Sequence, residues 1–176
     1  MSDEIWQNEN QYCFRKGWRK LMDVKYITPF LDSVKNIMEQ FGFEKVERGS
    51  IRKKDNMNVD MDTISIVGLV GDVKGNVSYA FSEETAKTII SKMMMGMPVE
   101  ELDEMARSAM SEFANMITGT AIANLSGIEE VNEVTPTPPS IIYGKEIYMI
   151  ITPMETLAID LETDAGKIEV NIGLEM

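Results

Sequence analysis

The sequence predicts an α/β (α+β) fold: internally duplicated helix-plus-three-strand units, forming an antiparallel sheet with long helices packed on it. Three observations carry this. Segments of helical and of strand period follow one another as helix, three strands, helix, helix, then three or four strands. Two pairs of apolar strands are joined by short turns, the signature of antiparallel hairpins. Finally, Gly42-Phe43-Glu44-Lys45-Val46-Glu47 is echoed by Gly127-Ile128-Glu129-Glu130-Val131-Asn132, each after an amphipathic helix. At 176 residues the chain is long enough for one full core or for two fused half-size units.

Residues 1–21 stand apart. Trp6, Tyr12, Cys13, Phe14 and Trp18 mix there with Arg15, Lys16, Arg19 and Lys20 without a helical or alternating period. Two domains of unequal weight follow: an extension of unknown role at 1–21 and a regular domain at 22–176. Met22 reads as the natural start, with Gly17-Trp18-Arg19 encoded by a purine-rich run resembling a ribosome-binding site; a partner-binding arm is the other reading. N-terminal sequencing of the protein from its source decides between them.

From Pro29, residues Phe30, Val34, Ile37, Met38 and Phe41 recur at i, i+4, i+7, i+8 and i+11, an amphipathic helix ended by Gly42. A strand is expected at 43–51, then a polar loop around Lys53-Lys54-Asp55-Asn56. Ile64, Ile66, Val67, Leu69 and Val70 form an apolar strand, hairpinned through Gly71-Asp72 to Val73, Val77, Tyr79 and Phe81. Ser82 caps a helix whose first turn holds Glu83 and Glu84, which Gly96 and Pro98 close. A long helix spans 101–125. Thr135-Pro136-Thr137-Pro138-Pro139 reads as a rigid crossover. Strands then follow at 141–143 and 147–152, and Leu157, Ile159 and Leu161 pair across Asp164-Ala165-Gly166 with Ile168, Val170, Ile172 and Leu174.

Composition narrows the function. Hydrophobic content of 44% with 26% charged residues describes a globular chain. A net charge of −12 argues against nucleic acid or anionic membrane as partners. One cysteine and no histidine exclude an intrachain disulfide and zinc sites of the Cys/His kind. No apolar run reaches the length of a membrane span and no secretory leader is evident, so a cytoplasmic protein is expected. The fifteen methionines include Met93-Met94-Met95 and Met97. These read as gap-filling core at a helix end, with an adaptable partner surface as the alternative.

The long helix carries the candidate chemistry. At about 100° per residue, Leu102, Ala106, Ala109, Phe113, Ile117 and Ala121 share a core face, with Met105 and Met116 at its edge. Ser108, Glu112, Asn115 and Gly119 share a neighbouring stripe. Glu112 and Asn115 are a carboxylate and a carboxamide one turn apart, pointing the same way. Small residues above and below them let another protein come close. Gly119 costs about 1 kcal/mol relative to alanine in a helix interior, which such an approach rationalises. Without histidine the commonest general base is absent, so chemistry here works by positioning. Considered alone, the pair is an ordinary solvated helix face.

The segment Ser111-Glu112-Phe113-Ala114-Asn115-Met116-Ile117-Thr118-Gly119 resembles the E-x-x-N active-site helix of the CheC/CheX chemotaxis phosphatases. The opening Met22-Asp23-Val24-Lys25-Tyr26-Ile27-Thr28-Pro29-Phe30 is similar to the start of a CheX. So are Val70-Gly71-Asp72-Val73-Lys74-Gly75-Asn76-Val77, the methionine run from Lys92 to Gly96, and Thr137-Pro138-Pro139-Ser140. The resemblance covers residues 22–176. A single E-x-x-N motif is similar to CheX rather than CheC, because the register of the internal repeat matches Glu112 and Asn115 with Ile27 and Phe30.

The resemblance implies a CheC-like fold and hydrolysis of the aspartyl-phosphate of a CheY-type receiver. Asn115 would orient the attacking water and Glu112 would pair with the receiver's lysine. No cofactor of the chain's own is implied, Mg²⁺ being expected on the receiver. A homodimer through sheet edges is implied as well, and the alternating terminal strands are candidates for that edge. The rival from another class is a non-catalytic adaptor that binds a receiver or a flagellar switch component, against which the retention of both Glu112 and Asn115 argues. A small-molecule hydrolase lacks a nucleophile–base pair or metal cluster.

Overall fold

The computed structural model describes residues 23–54, 58–144, 147–148 and 156–175. Among them are helices α1 (Val24–Gln40), α2 (Glu83–Met93) and α3 (Glu104–Leu125). The first-half strands are β1 (Val46–Lys54), β2 (Asn58–Val59), β3 (Thr63–Gly71) and β4 (Lys74–Phe81). The second half contributes β5 (Val134–Pro136), β6 (Ser140–Tyr143), β7 (Ile147–Tyr148), β8 (Thr156–Thr163) and β9 (Gly166–Glu175). Seven strands make one antiparallel sheet in the order β1-β8-β9-β4-β3, with β5 and β6 on successive parts of β3. β2 and β7 pair separately. The fold is α+β, as expected. The extension at 1–21, the start at Met22, Asp55 and Asn56, and the end of the strand expected at 147–152 lie outside the described residues.

The duplication is written into the strand order. Exchanging β1, β3 and β4 with β6, β8 and β9 turns the sheet into itself read from the other edge. A pair of aspartate clamps repeats with it. In the β3–β4 turn, Asp72 accepts from the Asn132 and Glu133 amides at 2.8 and 3.0 Å. In the β8–β9 turn, Asp164 accepts from the Glu44 and Lys45 amides at 2.7 and 3.0 Å. These backbone donors hold both carboxyls below the usual carboxylate range. The clamps match Glu44 with Asn132, whereas the repeat read from sequence matches Glu44 with Glu129. The difference is the longer connection that follows α3, from its cap Ser126 to Asn132, against Phe41 to Glu44 after α1.

Several boundaries differ from expectation. Helix α1 begins at Val24 because the Asp23 carboxylate accepts from the Lys25 amide at 3.2 Å, so Pro29 sits inside the helix. The Ser33 hydroxyl donates to the Pro29 carbonyl at 2.6 Å. Lys53 and Lys54 are strand residues of β1, paired with Leu157 and Thr156. Part of the expected proline crossover is edge strand: Pro136 pairs with Leu69, and the Thr137 amide donates to the Gly68 carbonyl at 2.8 Å. The terminal strands β8 and β9 are central, bonded on both sides, and therefore are not the free edge. Their outer partners β1 and β4 come from the first half of the chain and enclose the hairpin on both sides. Among the described residues the outer strands are β1 on one side and β5 with β6 on the other.

One face of the sheet holds the core. Val67, Leu69, Val77, Tyr79, Phe81, Ile159, Ile168, Val170 and Ile172 meet the three helices there. The α1 and α3 helices pack against each other, and the Lys25 ammonium reaches Glu130, just beyond α3, at 2.8 Å. They therefore run antiparallel. On the opposite face Asp160 and Glu169 are buried and ion-paired with Arg52, and Glu169 also meets Lys54 at 2.5 Å.

The methionine run divides between its two readings. Met93 and Met94 pack against the core, whereas Met95 is 99% exposed and Met97 is also exposed. Helix α2 ends in a Schellman motif, with the Gly96 amide on the Ser91 carbonyl at 2.7 Å and the Met95 amide on that of Lys92 at 3.2 Å. Met95 takes the left-handed position at φ 58°, which the sequence assigns to Gly96. That conformation costs an L-residue about 1–2 kcal/mol, and the side chain packs on nothing to offset it. Met95→Gly is expected to raise unfolding stability by about 0.5–1 kcal/mol, after allowing for glycine's extra chain entropy. An unchanged urea midpoint rules that out.

Candidate active site

Helix α3 is fixed along its whole length before any functional group is considered. The Asp103 carboxylate caps it, accepting from the Ala106 amide at 2.8 Å. Ala106, Met110, Phe113, Ala114, Ile117, Thr118, Ala121 and Leu125 are buried at i, i+4, i+7, i+8, i+11, i+12, i+15 and i+19. Phe113 meets Phe81 of β4 edge-on at 6.1 Å between ring centroids. The Thr118 and Tyr79 hydroxyls share a buried hydrogen bond of 3.0 Å, and burial pushes the Tyr79 phenol well up. The Arg107 guanidinium lies 5.0 Å from the centre of the Tyr143 ring of β6. Rotation of α3 about its axis would break all of these together.

This anchoring decides where the polar pair points. Phe113 and Ala114, the residues between Glu112 and Asn115, are both buried, so the pair itself is turned to solvent. Ser108, Glu112, Asn115 and Gly119 are all exposed and fall within about 60° of one another around the axis. Among the described residues no hydrogen bond or ion pair engages the side chain of Glu112 or Asn115. The carboxamide keeps its donors and acceptor for something beyond the described residues. Ser108 is less free: its hydroxyl donates to the Glu104 carbonyl at 3.0 Å. Among the described residues a Cβ placed on Gly119 would meet no atom within 4 Å, so their packing does not require glycine there. The first-half counterparts Ile27 and Phe30 are buried, and only α3 carries the pair.

The core face is rotated from the expected one. Met110, Ala114 and Thr118 are buried in addition to the residues expected there, and Leu102 precedes the helix. Met105, expected at the core edge, is 60% exposed. The apolar period alone could not set the rotation, because this helix is apolar or small around much of its circumference. No sequence signal marks the Thr118–Tyr79 bond, which joins residues far apart in the chain. Among the described residues no group of three or more Asp, Glu, Cys or His side chains is placed to hold a metal ion. Nor is any described helix long and apolar enough to cross a membrane.

The sequence profile of the family described as chemotaxis phosphatase CheX matches residues 63–161, which include all of α3. The CheY-P phosphatase CheX of Thermotoga maritima is 30% identical over 127 residues, covering 72% of this chain and 80% of that one. The chain belongs to the CheX family. Its fold is shared by a CheC-like superfamily protein from Shewanella sp. PV-4, at a TM-score of 0.78 and 27% identity, over 88% of this chain and all of that one. CheX from Borrelia burgdorferi, solved as a CheX–CheY–BeF3–Mg²⁺ complex, superposes with a TM-score of 0.72 at 28% identity, over 86% and 98% of the two chains. Membership of the CheX family accounts for the antiparallel sheet and its covering helices in one step.

Proposed function

We propose that this chain is a phosphatase that hydrolyses the aspartyl-phosphate of a CheY-type response regulator in the cytoplasm. The observation that carries the reading is the exposed, unengaged Glu112–Asn115 pair on a helix whose other face is locked into the core. The relative from T. maritima bears the name of that activity. The relative from B. burgdorferi was solved in a complex with CheY, BeF3 and Mg²⁺.

In this reading Asn115 enters the receiver's pocket and holds a water in line with the phosphorus. Its amide donates one hydrogen bond and accepts another without adding charge beside a phosphoryl group. Glu112 pairs with the receiver's active-site lysine and sets the docking register. The receiver supplies Mg²⁺, so the protein contributes position and not a metal. Ser108 and Gly119 lie under the partner. A homodimer formed through one of the outer strands, β1 or the β5 and β6 side, completes the assembly. The test is the lifetime of acyl-phosphorylated receivers from the same genome with and without the protein. Shortening for at least one receiver is expected, and binding without any shortening leaves only an adaptor.

Gly119 offers a separate check. Gly119→Ala is expected to stabilise the fold by about 1 kcal/mol, since the added methyl meets nothing and alanine favours the helix. Gly119→Phe folds equally well, yet it lifts the receiver off the stripe and slows phosphate release roughly tenfold or more. Full activity of the phenylalanine variant would place the docking face elsewhere.

A further inference from the structure

We propose that Met105 is a docking contact: an apolar anchor, two helical turns before Glu112, that the phosphorylated receiver covers when its phosphoryl group meets Asn115. The inference rests on the phosphatase reading above and adds to it the source of affinity. Met105 is 60% exposed, and it is the large hydrophobic residue of α3 that remains so. Around the helix axis it lies about 20° from Glu112. Ala109 and Met116, each half-buried, lie within about 40° of Met105 on the same side. An apolar rail therefore runs beside the polar stripe.

Size and charge select the occupant. A specific interface buries about 800 Å² per partner, a disc of roughly 16 Å radius. Met105 lies about 15 Å along the axis from Asn115, so a receiver centred on the amide reaches it. A chain of net charge −12 gains nothing electrostatically from approaching an acidic phosphoryl pocket. The one ionisable group on the polar stripe, Glu112, has the sign that fits a single lysine and repels the rest. Affinity must then come from apolar area, and Met105 is the largest such side chain the stripe presents. An unbranched, polarizable thioether also adapts to more than one receiver surface.

The test uses a CheY-type receiver loaded with BeF3 and Mg²⁺ for binding, and the acyl-phosphorylated receiver for turnover. Met105→Ala is expected to raise both Kd and KM about tenfold with kcat unchanged, and Met105→Leu to stay within about threefold of the parent. The side chain is exposed, so urea midpoints should match and exclude misfolding. Parent-like binding by Met105→Ala, in a protein whose Asn115→Ala variant has lost phosphate release, overturns the anchor and leaves the phosphatase standing. A fall in kcat at constant KM also overturns it. Retained phosphate release in Asn115→Ala removes the underlying reading, and the anchor with it.

Discussion

Asn115→Ala is expected to slow receiver dephosphorylation roughly a hundredfold or more, the scale on which removing one preorganised polar group acts. Protein stability should hardly change. The amide is exposed, bonds to nothing within the described chain, and gives way to the best helix former. The loss should appear in kcat, because the amide acts on a water that is engaged only as the phosphoryl group is transferred. Glu112→Ala should behave differently: its pairing with a receiver lysine is made on docking, so the change falls chiefly on KM. The measurement is phosphate release from an acyl-phosphorylated receiver under single-turnover and steady-state conditions. Near-parent turnover by Asn115→Ala would falsify the catalytic assignment, whatever the fate of the fold.

The second large effect lies on the other side of the same helix. Phe113→Ala should cost about 3–5 kcal/mol, the range for emptying a fully buried aromatic site. Phe113 has no solvent exposure and stands edge-on to Phe81, so its removal leaves a hole between α3 and the sheet. For a protein of this size the melting temperature should fall by roughly 6–20 °C. That is a large share of the stability of an ordinary domain, about 5–15 kcal/mol. Activity measured well below the transition should fall too, since the rotation of α3 aims Asn115. A melting temperature within a degree or two of the parent would mean that α3 is held by something other than this packing.

The two variants separate what a helix does from what it presents. In the proposed mechanism residues 112 and 115 serve the receiver and add little to folding, while 113 and 114, both buried, serve the packing. Interleaving them ties the direction of the pair to the packing: two buried side chains stand between the two exposed ones. Thr118, one turn beyond Asn115, adds a polar bond to Tyr79 where a rotation would otherwise cost only apolar contact. In the nearby α2–α3 connection Met95 holds a left-handed backbone with its side chain in solvent.

Periodicity and turn chemistry were enough to specify the three helices and the two long hairpins, but not the short strands β2 and β5 or the end of β1. The i, i+3, i+4 pattern, the cap at Ser82 and the turns at Gly71-Asp72 and Asp164-Ala165-Gly166 are local, and local physics sets them. The spacing of Glu112 and Asn115 is also local, since three residues on any helix lie one turn apart. What no local rule decided was the rotation of α3, the central place of β8 and β9, and the exposure of Met105. The apolar or small residues of α3 cover so much of its circumference that several core faces fit equally well by period. Only the fit of Phe113 against Phe81, of Thr118 against Tyr79 and of α1 against α3 selects one. Likewise the hairpin of β8 and β9 is visible in the chain, but its neighbours β1 and β4 come from the other half of the repeat. Pairing between distant segments is chosen by which apolar faces can be buried together, and that is a property of the folded whole.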